Sequence, residues 1–172
     1  MDEKWKRNDV IRLFVRFSDY TYREIETIVH SEQYYPLHDA ITNIAVYAQK
    51  CIAERHLTLK PIVYYNRFDP SSGKMRKLGI QEPLHQVFDY IAVNGLKELF
   101  DAKIGVFQCA SLPGKGQSYG KKFIERWIQE PKTAYYVQAD IRQCFPSISH
   151  EKLNGLLQKY VKNDTLLWLV FE

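Results

Sequence analysis

The 172-residue sequence predicts an α+β fold that is mostly helical, with one β-hairpin and one further strand. Three observations lead there. Apolar residues recur at helical spacing over residues 5–17, 37–52 and 83–100. Residues 61–80 instead form two β-prone runs on either side of a turn. A short β-prone run returns at 133–141. With 45% hydrophobic and 26% charged residues, the chain has the makings of a domain with a real core.

The first amphipathic stretch, 5–17, sets Val10, Leu13, Phe14 and Phe17 on one side. Thr21 and Glu24 have capping-box spacing, which predicts a second helix starting there. Leu37, Ala40, Ile41, Ile44, Ala45, Ala48 and Ile52 then mark a core-facing helix, and Pro36 suits its start. In the hairpin, Ile62 to Tyr65 form the first strand and Asp69-Pro70-Ser71-Ser72-Gly73 the turn. Residues 74–80 return as its basic partner. Residues 83–100 read as one helix, 104–117 as a loop, and 118–129 as another helix. The strand 133–141 follows, with Tyr135, Tyr136 and Val137 as β-formers. Ser149 can cap a helix reaching about Val161. Asn163-Asp164 ends it, and 166–171 begins something new.

Composition narrows the function classes. Cys51, Cys109 and Cys144 are odd in number and lack zinc spacing, and the five His are scattered. No disulfide framework or structural metal is expected. No run is long enough to span a bilayer, so the expectation is a cytoplasmic protein without a membrane. The net charge is +4, but residues 60–80 and 103–126 each carry +4, leaving −4 for the rest. Two basic clusters on an otherwise acidic chain suggest a side that faces a polyanion.

The segment 135–148, Tyr-Tyr-Val-Gln-Ala-Asp-Ile-Arg-Gln-Cys-Phe-Pro-Ser-Ile, ends a predicted buried strand in Asp140. A carboxylate at a strand end can hold a divalent cation, and two-metal phosphoryl transfer needs such acids. An Asp there is also a common turn former or helix cap. The run resembles the first palm motif of reverse transcriptases, strand-Asp-Ile-x-x-x-Phe-x-Ser-Ile. That resemblance implies that Asp140, with the Ile141 carbonyl, binds catalytic Mg2+. It also implies that Phe145 lies under the nucleotide sugar and excludes a 2′-hydroxyl, which makes DNA the product. Upstream, Ser72-Gly73-Lys74-Met75-Arg76-Lys77-Leu78-Gly79-Ile80 resembles the fingers motif of the bacterial and group II intron-like branch. It implies that Lys74 and Arg76, with Arg67 on the facing strand, contact the triphosphate; the planar Arg fork suits phosphate. Residues 108–117 resemble the next block of that branch, a Pro-Gly-basic turn near the template. It implies nucleic-acid contacts from Gly114, Lys115 and Gly116, with Lys121 and Lys122 on the helix that follows. The loop is not a Walker A motif, because Gly116 stands where Ser or Thr is required.

The resemblance covers roughly residues 60–160. It implies a partial right-hand polymerase fold, divided into a helical segment 1–56, a fingers-like region 57–132 with the basic hairpin, and the start of a palm, 133–172. Its implied partners are an RNA template, a DNA primer or product, and deoxynucleoside triphosphates. The family's later aromatic-x-Asp-Asp motif has no counterpart, since no Asp-Asp pair occurs. The expectation is therefore a fragment inactive by itself, or a polymerase-like module that binds nucleic acid without chemistry. The apolar run 166–171 wants cover, and self-association through Leu166, Trp168 and Phe171 is the expected consequence.

Overall fold

The structure is a computed structural model that describes residues 7–110, 112–132 and 134–172. The chain is α+β: the described residues form helices and a single two-stranded antiparallel sheet. Its contacts divide it into two compact units. One runs up to Gly95 and takes back Asn163–Glu172; the other is Leu96–Lys162. This division cuts across the expected boundaries at 56 and 132.

In the first unit, α1 (Asn8–Arg16) packs on α2 (Tyr22–Ser31). The predicted start of α1 at residues 5 and 6 lies outside the described residues. The expected capping box opens α2: Thr21 Oγ1 accepts from the Glu24 amide at 3.4 Å, and Glu24 Oε2 accepts from the Thr21 amide at 2.7 Å. The Thr21 hydroxyl also donates to Glu24 Oε2 at 2.7 Å, and this bond, then that of the Thr21 amide, holds the Glu24 carboxyl below its ordinary value. Ile11 and Phe14 turn inward onto Ile25, Val29 and Leu37, closing a first core cluster. Pro36 sits in a 3-10 turn, Tyr35–Leu37, that leads into α3 (His38–Ala53). Strands β1 (Val63–Asp69) and β2 (Lys74–Ile80) form the hairpin.

The helical period over 83–100 does not make one helix. α4 (Pro83–Gly95) stops and α5 (Lys97–Lys103) restarts, the break falling where one unit gives way to the other. Gly95 leaves space that Leu166 fills: a β-carbon there would lie 2.6 Å from Leu166 Cδ1 and would make that side chain shift. Leu166 belongs to α9 (Asp164–Phe171), capped by Asn163, whose Oδ1 accepts from the Leu166 amide at 3.0 Å. Leu169 is buried in a second core cluster with Ala48, Leu84, Phe88 and Ala92, and Trp168 and Val170 pack against it. Leu169 of the apolar run 166–171 is thus buried within its own unit, while the other five residues of the run are half-buried.

The second unit contains α5, α6 (Gln117–Gln129), the short α7 (Cys144–Ser147) and α8 (His150–Tyr160), which Ser149 caps as expected. The predicted strand 133–141 is not formed. Thr133 lies outside the described residues, and 134–141 pair with no strand among those described. A strand is defined by its ladder, and the only sheet among the described residues is the β1–β2 pair. No described helix is long and apolar enough to cross a membrane.

Candidate nucleotide and nucleic-acid interface

The hairpin is organised from its turn. Gly73 takes a positive φ of 66°, and its amide donates to the Asp69 carbonyl at 2.9 Å. The Asp69 carboxylate accepts from the Ser71 amide and hydroxyl, the Ser72 hydroxyl, and Arg76 Nε at 2.6 Å. The Ser71 hydroxyl, then Ser72, then Arg76 hold that carboxyl far below the usual carboxylate range. The register pairs Arg67 with Arg76 and Asp69 with Lys74. Residues opposed in an antiparallel ladder share a face, so the three cations expected at a triphosphate stand on one side of the sheet. Two arginines directly opposed repel each other, and Asp69 relieves only Arg76. Among the described residues, Arg67 and Lys74 have no ion-pair partner, so the face keeps an excess of positive charge suited to an anion.

The opposite face is aromatic. Lys77 Nζ stands 4.6 Å from the centre of the Tyr64 ring. Gly79, in the Leu-Gly-Ile of the fingers-like motif, admits that layer: a β-carbon would meet Ile62 Cγ2 at 2.8 Å and the Tyr64 ring at 3.1 Å. Glu82 clamps the base of the hairpin by accepting from the Lys60 amide at 3.0 Å and pairing with its ammonium at 3.5 Å. The turn-forming role of Asp69 is legible in the sequence, but its bond to Arg76 and the clamp by Glu82 are not.

In the second unit, Gly114, Lys115 and Gly116 lie together before α6. Gly114 needs its glycine, with φ at 70°, whereas Gly116 is ordinary extended backbone that any residue adopts. Lys115 Nζ reaches the Val106 carbonyl at 3.4 Å and the Tyr119 ring at 5.5 Å. Lys121 pairs with Glu125 at 3.4 Å, while Lys122 has no ion-pair partner among the described residues. Comparison of the chain with family models, with curated proteins and with solved structures finds no match.

Asp140 and Ile141 lie in the unpaired stretch, with Ile141 67% exposed, and Phe145 on α7 is 87% exposed. Gln143 turns the chain between them with a left-handed backbone, φ 52°. Asp140 makes no hydrogen bond or ion pair with another described residue. Magnesium fills most of its six positions with waters and substrate phosphates and takes one or two carboxylates from the protein, so a two-metal site needs acids beyond the single carboxylate of Asp140. Among the described residues no three His, Cys, Asp or Glu side chains converge on a common point. Asp140 and Ile141 do not by themselves make a two-metal site.

An open groove of about 890 Å³ lies among α1, α3 and α4 in the first unit. Its walls are apolar, with Gln49, Gln86 and Tyr90 as the polar exceptions, so it offers no acid or base for chemistry.

Proposed function

We propose that this chain is the fingers and first palm segment of an RNA-directed DNA polymerase, the hairpin face gripping the triphosphate of an incoming deoxynucleotide. The observation that carries this reading is the register that sets Arg67, Lys74 and Arg76 on one face beside a Gly-Lys-x-Arg turn. Arg76 presents a guanidinium oriented by Asp69, and Arg67 and Lys74 add charge that a polyphosphate neutralises. Phe145, exposed on its short helix, offers the flat ring that would exclude a 2′-hydroxyl by packing against C2′. Asp140 is one of the metal-binding acids, and the others come from outside these 172 residues, which contain no Asp-Asp pair.

The test is primer extension on an RNA template by the protein expressed from its native gene, with Mg2+ and deoxynucleotides. Extension is expected, with a loss of more than about a hundredfold in Asp140→Ala. Phe145→Val should admit ribonucleotides. Full extension by Asp140→Ala would refute the site, and unchanged sugar selection would refute the gate.

A second reading has its own support. Residues 96–162 carry eleven Lys and Arg against six Asp and Glu, a net +5, while the rest of the chain carries −1. That concentration favours a non-catalytic module that holds nucleic acid by its phosphates. Salt-dependent RNA binding together with no extension by the native protein would select it.

A further inference from the structure

Helix α6 carries a stripe that the nucleotide site does not use. Tyr119, Phe123 and Trp127 recur every fourth residue, so the helical period lines them along one face. Tyr119 and Phe123 meet edge to face with centroids 5.0 Å apart. Phe107, from the loop before the helix, closes on Phe123 at 5.2 Å and on Trp127 at 5.1 Å. The loop is seated by Gly120, whose absent side chain leaves room for Cys109: a β-carbon there would lie 3.2 Å from the sulfur. Even so, Phe107 stays 60% exposed and Trp127 41% exposed. Large rings held in place yet left in water mark a contact surface.

The rim says what the surface contacts. Lys115 stands over the Tyr119 ring. Lys122 and Arg126 each precede a stripe residue by one position, so they flank the rings. The acid of this helix's central turns, Glu125, lies round the other side and is held by Lys121. Aromatic planes bordered by cations, in a unit of net charge +5, suit bases joined by phosphates better than an apolar protein face.

We propose that Phe107 and Trp127 form a stacking platform for unpaired bases of single-stranded nucleic acid, with Lys115, Lys122 and Arg126 following its phosphates. The platform rests on the nucleic-acid-binding part of the reading above and not on its chemistry. Stacking uses the π-face that every base has, so binding tolerates sequence and requires unpaired strands.

Fluorescence anisotropy of a labelled single-stranded RNA, and of a duplex of the same length, tests it on the 172-residue chain. Tighter binding of the single strand is expected. Trp127→Ala should weaken that binding about tenfold, and Trp127→Phe, which keeps a ring, should retain most of it. Lys122→Gln combined with Arg126→Gln should flatten the salt dependence by about one to two phosphates' worth. Single-strand binding unchanged in Trp127→Ala, or a duplex bound equally tightly, overturns the platform. The two readings fail separately. Absence of primer extension with Trp127-dependent binding intact removes only the polymerase; extension with Trp127→Ala binding unaltered removes only the platform.

Discussion

The β1–β2 hairpin and the stretch 134–148 carry the two strongest motifs of the chain, yet they differ in how far each builds itself. The hairpin closes with its own residues: Asp69 gathers Ser71, Ser72 and Arg76 about the turn, and Glu82 clamps its base. The stretch 134–148 has β-forming residues but no strand to bond among the described residues, and Tyr135, Tyr136, Val137 and Phe145 are all more than 85% exposed. Turn chemistry is satisfied within a few residues, whereas a ladder needs a second strand. The cationic face of the hairpin is thus already assembled, while the Asp140 segment pairs with no strand among the described residues.

The largest effect separating such regions should come from deletion of buried side chains. Leu84→Ala in the second core cluster should cost ~2–5 kcal/mol in denaturant unfolding, where Phe145→Ala should change stability by no more than ~0.5 kcal/mol. A comparable loss for Phe145→Ala would mean that the segment is packed after all. Backbone exchange sharpens the contrast next. Ladder amides of β1 and β2 should exchange about tenfold more slowly than amides of 134–141, one modest net hydrogen bond each. Equal protection in both regions breaks the comparison.

The smallest effect concerns acid. Because the Asp69 carboxyl is depressed in the folded hairpin, its contribution is present above the unfolded Asp value of about 3.9 and is lost as pH falls through the lower folded value. The Ser71 amide resonance should therefore hold steady at pH 5 and move only in stronger acid. Asp69→Asn should abolish that late transition; its persistence would assign the transition to another group.

Much of the helical architecture was legible because its signals are local. Thr21 and Glu24 cap α2 as their spacing predicts, Ser149 caps α8, and the hairpin turns where Asp69 to Gly73 predict it. Tyr119, Phe123 and Trp127 recur every fourth residue of α6, but no local pattern marks their partner Phe107, since only folding of the loop brings that ring to Trp127. The break after Gly95 was hidden for a similar reason: the apolar period continues through Leu96, Leu99 and Phe100.

The sequence by itself determined the α+β class, the capped starts of α2 and α8, the hairpin and its basic residues, because period, capping and turn chemistry act over a few neighbours. Tertiary structure alone decided that Leu166 fills the space at Gly95, that Leu169 is buried instead of leaving an apolar run exposed, and that three hairpin cations share a face. It also decided that Asp140 ends no strand here. Each of these depends on a partner distant in sequence, or on the lack of one among the described residues, and no local pattern carries that information.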